Sequence, residues 1–500
     1  MKKLSISLSI LTLLSLFIFS GCDKDDDDKV TGPDVDFYAL SSNNQLLKFN
    51  GKNTGTASGT MTISGLQTGE TIVGIDFRPG TGQLFGIGST SRLYVINIST
   101  GAAIAVGTAA FTPAISGTTV GFDFNPTVDR IRLVSSTGQN LRLNPENGAV
   151  AATDGTINGA TASVHAVAYT QNRAGATTTT LFDIDVTNNK LYRQDPPNNG
   201  TLVEVGNLGV DAEAAGGFDI SADSAHALAA LTVSGQTGLY TINLTTGAAT
   251  KVGDFATNII GLAIPTPPVA YAVSNSNNLL IFNPASGDIA FTKAITGLQT
   301  GENIVGLDMR PATGQLYALG SSSRIYTINV SVGTATQVGS GALTTVLAGT
   351  EFGFDFNPTV DRIRVVSNTG QNLRLNPVDG SVSAVDGTIN PVASVISGAG
   401  YTNSFAGATT TVLYDIDATT DRLVRQDPPN NGTVADVGAL GVNIDAANGF
   451  DIAAYSGQAY GLFTVSGTTR IYTISLTSGA ATAGPGFSQS VRGFTLGLGM

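Results

Sequence analysis

The stretch GFDFNPTVDRIRLVSSTGQNLRLNP at residues 121–145 decides the fold, because it recurs as GFDFNPTVDRIRVVSNTGQNLRLNP at 353–377. The offset is 232 residues, and other pairs of segments keep it. GLQTGE begins at residues 65 and 297, and RQDPPNNG begins at residues 193 and 425. Self-similarity at one fixed offset indicates that a single module occurs twice in the chain.

Each half is itself built from a shorter repeat. LYVINISTGAAIAVG from Leu93 and LYTINLTTGAATKVG from Leu239 alternate apolar and polar residues around a Thr-Gly turn, which is typical of a β-hairpin. There are ten such hairpins, five in each half. A second pair of strands precedes most of them, as in GIDFRPGTGQLFGIG from Gly74. Four short strands per unit form the pattern of a propeller blade.

The ends of each half predict how the blades close into a ring. The first unit, from Tyr38, lacks a leading strand, whereas the halves end in the unpaired strands 259–264 and 492–497. We expect the last strand of each half to complete the first blade of the same half, which gives two five-bladed rings. If strand 259–264 instead pairs with the segment from Tyr271, all ten blades form one ring. Another all-β stack is the third alternative.

Composition and charge limit the classes of function. The net charge is -12 and the chain has no basic stripe, so we expect no nucleic-acid partner. The single cysteine excludes a disulfide or a thiolate metal site within one chain. His165 and His226 are replaced by Ser397 and Gln458 in the second half, so histidine chemistry is not common to both modules.

The N-terminus predicts an exported lipoprotein. Two lysines precede an apolar stretch at 4–19, which is shorter than the roughly 20 residues that a membrane-spanning helix needs. FSGC at 19–22 resembles the lipobox of bacterial lipoproteins, with Cys22 as the acylated residue. A plain secretory signal is the alternative. The predicted divisions are signal peptide 1–21, acidic tether 22–35, module 1 at 36–264, Pro-rich linker 265–268 and module 2 at 269–500.

The acidic run at 23–29 bears on where the protein is displayed. It resembles the export signal that follows the lipidated cysteine in surface lipoproteins of Bacteroidota. We therefore expect an outer-membrane lipoprotein that faces the outside of the cell. As physical chemistry, the run is a self-repelling tether that holds the folded part away from the lipid.

Three motifs carry a resemblance to a known family. GFDFNPTVDRIR, QNLRLNP and RQDPPNNG are similar to segments of a bacterial family of exported proteins catalogued as a domain of unknown function. The resemblance covers nearly all of both halves. It implies an architecture and an exported location, and it implies no activity, substrate or catalytic residue.

Acidic residues recur at one place in the Gly-x-Asp strand of three units per half. Because that strand is innermost in a propeller, their carboxylates surround a central channel. They could bind a hard cation such as Ca²⁺, form the acid and base of a glycoside hydrolase, or accept backbone N–H bonds that join the blades. We favour the last role. The residues are Asp76, Asp123, Asp219, Asp308, Asp355 and Asp451.

A second acidic motif, LFDID followed by a Thr-Asn-Asn turn, superficially suggests a calcium loop at Asp183 and Asp185. A loop of the EF-hand type needs Gly at its sixth position and Glu at its twelfth, whereas this chain has Asn188 and Gln194 there. We therefore predict two paired strands around the turn and no metal.

Arginines alternate with apolar residues along two neighbouring strands, so we expect them to share one face of a sheet. They could grip a carboxylated or sulfated glycan, or pair with local acids such as Asp129 and Asp123. Pairing within the sheet is the favoured alternative. The residues are Arg130, Arg132, Arg142, Arg362, Arg364 and Arg374.

Two function classes follow from these features. The first is a surface-exposed, non-catalytic binding module for glycan or protein, and the second is a secreted polysaccharide hydrolase or lyase with a carboxylate-lined channel. We favour the first, because duplication adds avidity to weak sites. The sequence assigns no catalytic residue, no metal ligand and no cofactor, and calcium is the one ion that the carboxylates leave open.

Overall fold

The computed structural model describes residues 31–160, 163–390 and 395–500. Within these ranges the regular structure is β-strand, apart from short 3-10 turns at Pro197–Asn199 and Pro429–Asn431. The strands form ten four-stranded antiparallel sheets, which confirms the predicted all-β class. The signal peptide, the lipidation residue Cys22 and the tether up to residue 30 lie outside the described residues. In the described ranges, no helix has the length and apolar character required to cross a membrane.

Module 1 contains five sheets, and each sheet is one blade. Four blades take their strands in chain order, and the fifth has the order β20, β1, β2 and β3. The strands are β1 (Asp36–Ser41), β2 (Gln45–Asn50), β3 (Gly59–Thr62), β4 (Ile72–Phe77), β5 (Leu84–Gly88), β6 (Leu93–Ile96), β7 (Ala103–Val106), β8 (Val120–Asn125), β9 (Arg130–Ser135), β10 (Asn140–Leu143), β11 (Val150–Thr153), β12 (Val164–Tyr169), β13 (Leu181–Asp185), β14 (Lys190–Gln194), β15 (Leu202–Asn207), β16 (Ala212–Ile220), β17 (Ala227–Val233), β18 (Gln236–Ile242), β19 (Ala249–Asp254) and β20 (Ile259–Ala263).

Module 2 repeats this arrangement, with β40 as the inner strand of the blade that contains β21, β22 and β23. The strands are β21 (Ala270–Ser274), β22 (Asn278–Phe282), β23 (Ile289–Ala294), β24 (Ile304–Arg310), β25 (Gln315–Gly320), β26 (Arg324–Ile328), β27 (Ala335–Val338), β28 (Phe352–Asn357), β29 (Arg362–Ser367), β30 (Asn372–Leu375), β31 (Val382–Val385), β32 (Ile396–Tyr401), β33 (Leu413–Asp417), β34 (Arg422–Gln426), β35 (Val434–Ala439), β36 (Ala446–Ile452), β37 (Ala459–Val465), β38 (Thr468–Ile474), β39 (Ala481–Gly486) and β40 (Val491–Leu496).

Each module closes on itself. Strand β20 pairs with β1, with Ala39 opposite Leu262, and β40 pairs with β21, with Ala272 opposite Phe494. The inner strands β4, β8, β12, β16 and β20 contact one another in that order, and β20 contacts β4. The inner strands β24, β28, β32, β36 and β40 form the same closed order. The fold is therefore two five-bladed rings, and the ten-bladed alternative is wrong because β20 pairs within its own half.

Burial follows the distance of a strand from the ring axis. Inner strand β4 is buried along almost its whole length, whereas the outermost strand β3 alternates half-buried and exposed residues. Apolar side chains fill the space between blades, as where Phe85 of β5 packs with Phe124 of β8 and Ile131 of β9. Full burial of one such side chain contributes about 1.5–3 kcal/mol. The blades are thus held together by apolar contacts on both faces.

Glycine lets the inner strands approach closely at the axis. A Cβ on Gly121 would lie 2.8 Å from the backbone nitrogen of Val167, and a Cβ on Gly217, whose φ is +148°, would lie 2.3 Å from that of Leu262. The axial cavity beside these glycines has a volume of about 10 Å³ in module 1 and about 20 Å³ in module 2. That is space for about one water molecule, so the axis is closed to a sugar at this level.

The two rings pack side by side, and hydrogen bonds to backbone carbonyls of module 1 join them. The hydroxyl of Tyr271 donates to the carbonyl of Gly80 at 2.8 Å, and the backbone nitrogen of Gly499 donates to the carbonyl of Thr81 at 2.8 Å. The end of module 2 therefore rests against the turn between β4 and β5 of module 1.

Candidate functional site

The inner strands bring three aspartates of each module together near the ring axis. We call Asp76, Asp123 and Asp219 the axial triad of module 1, and each has a carboxylate oxygen within 4.8 Å of the others. Each is the third residue of a Gly-x-Asp segment, and the same place on the remaining two inner strands holds Ala168 and Ala263. The axial triad of module 2 consists of Asp308, Asp355 and Asp451.

The triad carboxylates accept backbone hydrogen bonds from the neighbouring blades. Asp76 accepts the N–H of Phe124 at 2.7 Å, and Asp123 accepts that of Tyr169 at 3.0 Å. Asp219 accepts the N–H of Ile264 in the closing segment at 2.6 Å. These bonds tie one inner strand to the next around the ring.

The two triads differ in the polar groups beside them. In module 2, the hydroxyl oxygen of Thr495 lies 3.0 Å from a carboxylate oxygen of Asp308 and 3.0 Å from one of Asp451. Module 1 has Ala263 at this place, and the nearby side chain of Asn172 lowers the pKa of its Asp219, against the larger effect of burial. The residue equivalent to Asn172 in module 2 is Ser404.

Burial dominates the electrostatics of the triads. It raises the pKa of Asp76 well above its usual range, and the neighbouring charge of Asp219 adds to the effect. Burial also raises the pKa of Asp219 to about 7 and that of Asp451 to about 6. Like charges this close in a low-dielectric interior disfavour full ionisation, so each triad requires protons or a cation.

Four of the six predicted arginines lie in two buried ion-pair clusters rather than on an open ladder. The guanidinium of Arg132, 1% exposed, donates to Asp154 at 2.7 Å and to Asn198 at 2.8 Å. Arg142 donates twice to the same Asp154 carboxylate, at 2.8 and 2.9 Å. Such bidentate pairs fix both partners, so these groups are structural. The matching residues of module 2 are Arg364, Arg374, Asp386 and Asn430.

The prediction that Asp129 and Asp123 pair with these arginines was wrong. Asp123 is bound to a backbone N–H, and the Asp129 carboxylate pairs with Arg78 at 2.5 and 2.9 Å. The guanidinium of Arg132, on β9, extends away from Asp123 of β8 towards Asp154, which lies just beyond the outermost strand of the blade. Arg78 and Asp154 were not singled out from the sequence, although both are charged residues kept at the 232-residue offset.

The remaining pair, Arg130 and Arg362, is half-buried in an identical local setting. One guanidinium nitrogen of Arg130 donates to the backbone carbonyl of Asp129 at 2.8 Å, and Arg362 makes the same bond to Asp361 at 2.8 Å. The two arginines differ in what they face. Arg130 lines the space between the two modules, whereas Arg362 does not.

That space is a groove, which we call the intermodule groove. Its volume is about 340 Å³, and it is lined by charged groups from module 1 and by amide and hydroxyl groups from module 2. Gln315 bridges the two sides by donating to Glu146 at 2.8 Å. Burial raises the pKa of Glu146. The polar lining residues are Arg78, Asp129, Arg130, Glu146, Gln315, Thr327, Asn329, Thr334 and Thr336.

The LFDID motif forms two paired strands, β13 and β14, around a turn. Asp185 accepts the N–H of Thr187 at 2.8 Å and so stabilises the turn. Asp183 is fully buried, and no hydrogen-bond donor of the described residues reaches either of its carboxylate oxygens. Burial raises its pKa to about 8. Asp415 of module 2 has the same surroundings and a pKa of about 8.

Comparison with known proteins identifies the family. The family model described as "Domain of unknown function (DUF4394)" matches residues 45–263 and again residues 271–495. The chain belongs to the DUF4394 family. Its two DUF4394 repeats coincide with the two rings, which confirms the resemblance found in the motifs and the tandem duplication.

The other comparisons add no function. A search of curated proteins gave no match. A solved structure that matches is "Dihydro-heme d1 dehydrogenase NirN in complex with DHE", at 10% sequence identity over 78% of this chain and 70% of that chain. The TM-score is 0.24, so the likeness carries no argument about this DUF4394 protein.

Proposed function

We propose that the protein is a non-catalytic binding protein, anchored to the outer membrane by lipid at Cys22 and exposed on the cell surface, that holds a glycan in the intermodule groove. The groove carries the proposal. It is a concave space of about 340 Å³ between the rings, and cavities of about 300–1,000 Å³ are typical of sites for small ligands.

The chemistry of the lining suits a polyhydroxylated ligand. Arg130 supplies donors, Glu146 supplies acceptors, and the side chains of Thr334 and Thr336 supply both. A standard protein interface covers about 800 Å² per partner and is enriched in aromatic anchors. None of the described residues that line the groove is aromatic. These features favour a glycan over a protein as the occupant.

The axial triads do not support the alternative, a polysaccharide hydrolase or lyase. Asp76, Asp123 and Asp219 are each 1% exposed, and the axial cavity beside them has a volume of about 10 Å³. A glycoside hydrolase needs carboxyl groups that touch the sugar at its scissile bond. Carboxylates closed off in this way serve the ring and not a substrate.

The test is a glycan array probed with residues 31–500, with and without calcium, followed by titration of each hit. The chain offers a matched control, because Arg130 and Arg362 make the same bond to a neighbouring carbonyl and only Arg130 lines the groove. Loss of one charged hydrogen bond costs about 1.5–3 kcal/mol. We expect Arg130→Ala to weaken glycan binding roughly 10- to 100-fold and Arg362→Ala to leave the affinity unchanged.

A second matched pair tests the opposite wall of the groove. Asn329 and Asn97 both accept backbone N–H bonds within a turn, at 2.9 Å from Ser331 and Ser99 respectively, and only Asn329 lines the groove. Asn329→Ala should weaken binding, whereas Asn97→Ala should not. Equal losses from both members of each pair, or shortened sugar products after incubation, would contradict the proposal.

A further inference from the structure

In the axial triad of module 1, the carboxylate oxygens outnumber the backbone N–H groups that donate to them. Asp76 and Asp219 each accept two backbone N–H bonds, one per carboxylate oxygen, whereas Asp123 accepts one on Oδ1 alone. Oδ2 of Asp123 is buried and has no hydrogen-bond partner in the described chain. A buried, ionisable oxygen without a partner destabilises the folded state unless a ligand or a proton satisfies it.

A second unpartnered oxygen lies beside the triad. Asn172, which follows β12 and is 1% exposed, lies close enough to Asp219 for its side chain to lower the pKa of that carboxyl. Its Oδ1 is also buried without a partner among the described residues. The three carboxylates therefore have a buried amide beside them, and both the amide oxygen and Oδ2 of Asp123 have lone pairs left for a ligand.

Within the part of the chain that the structure describes, no Lys, Arg or His side chain pairs with the triad. Among the ion pairs of the described residues, none involves Asp76, Asp123 or Asp219. All the atoms available to bind a metal ion are oxygens, which hard divalent cations prefer as ligands. Since calcium–oxygen distances are about 2.3–2.6 Å, oxygens on opposite sides of the ion lie about 4.6–5.2 Å apart. The triad oxygens, all within 4.8 Å of one another, fit that span.

Module 2 is the internal comparison. Its Thr495 places a hydroxyl between Asp308 and Asp451, and this hydroxyl supplies a proton that module 1 lacks at Ala263. Its Ser404 has a shorter side chain than Asn172 and offers no amide oxygen. The triad of module 2 therefore has a hydroxyl donor beside it, whereas the triad of module 1 has unpartnered oxygens.

We propose that the axial triad of module 1 is a calcium site formed by Asp76, Asp123, Asp219 and the amide oxygen of Asn172, and that the triad of module 2 does not bind calcium. The site is enclosed, so the ion enters as the ring folds and exchanges slowly afterwards. Its role is to lock three inner strands together at the ring axis. The site is independent of glycan binding in the groove.

The test is the calcium content of the refolded full chain, purified in detergent. The chain is unfolded in urea with EDTA, refolded with calcium chloride, passed through gel filtration and analysed for bound metal. We expect one calcium ion per wild-type chain, retained in a tenfold excess of magnesium chloride. Asn172→Ser and Ala263→Thr, which give module 1 the residues of module 2, should each weaken calcium binding at least tenfold.

The reciprocal variant tests the same rule in the other module. Ser404→Asn combined with Thr495→Ala gives module 2 the residues of module 1, and this chain should bind two calcium ions. Circular dichroism and gel filtration identify the variants that refold. A wild-type chain that retains no calcium or two calcium ions would overturn the proposal. So would refolded Asn172→Ser and Ala263→Thr chains that bind calcium as tightly as the wild type.

Discussion

The buried aspartates of the second strands, Asp183 in β13 and Asp415 in β33, allow a quantitative prediction about pH and stability. Both are fully buried, and within the described ranges neither has a hydrogen-bond donor on its carboxylate oxygens. Burial raises the pKa of each to about 8, although Arg132 and Arg364 respectively oppose the rise. Each is therefore a neutral carboxylic acid in the folded protein at pH 7.

The sign of the pH dependence follows from proton linkage. The unfolded chain releases these protons near pH 3.8, whereas the folded chain keeps them up to about pH 8. The folded state binds more protons between these values, so the free energy of unfolding falls as the pH rises through this window. At about 1.4 kcal/mol per pH unit, the upper limit is roughly 5–6 kcal/mol for each residue.

Asparagine has nearly the shape of a protonated aspartate and does not ionise. We expect Asp183→Asn and Asp415→Asn to match the wild type at pH 4 and to exceed its stability by several kcal/mol at pH 8. The assay is urea unfolding followed by circular dichroism at intervals from pH 4 to pH 8.5. Identical slopes for the wild type and the double variant Asp183→Asn with Asp415→Asn would refute the reasoning.

Two further predictions concern the ion-pair cluster and the anchor. Asp154→Ala leaves two arginines unpaired, and because the Asp154 carboxylate is 6% exposed it should cost about 3–5 kcal/mol in urea unfolding. Asp195→Ala removes an exposed pair with Arg193 and should cost about 0–1 kcal/mol, so equal costs would argue against the cluster. Cys22→Ser removes the acylated sulfur and should release the protein from membranes. Co-sedimentation of this variant with the outer membrane would mean that another feature anchors it.

Much of the fold was predictable because its determinants are local and repeated. The Gly-x-Asp strand, the Thr-Gly turns and the unpaired end strand 259–264 recur at fixed spacing, and they define blades and closure without knowledge of distant contacts. The position of Asp76 on an inner strand followed from the same repeat.

The ion-pair partners and the groove were not predictable in the same way. Arg132 meets Asn198, 66 residues away on the next blade, and the partner of Arg142 lies beyond the edge of its sheet. The groove depends on how one ring rests on the other, for which the repeat carries no signal. The paired strands around the Asp185 turn were predicted from the LFDID motif, whereas the full burial of the Asp183 carboxylate without a donor in the described chain was not.

Engineered disulfides can show whether each half closes into its own ring through its last strand. Residues 31–500 contain no native cysteine. Ala39 and Leu262 are directly opposite in β1 and β20, where Cα atoms lie about 4.5–5.5 Å apart, within the range that a disulfide spans. Ala272, which takes the place of Ala39 in module 2, is the residue that a ten-bladed ring would place opposite Leu262.

The measurement is mass spectrometry of a protease digest after mild oxidation of two double variants. Ala39→Cys with Leu262→Cys should yield the disulfide-linked peptide in monomeric protein. Leu262→Cys with Ala272→Cys should yield free thiols. The opposite pattern, a disulfide only in the second variant, would contradict two closed rings.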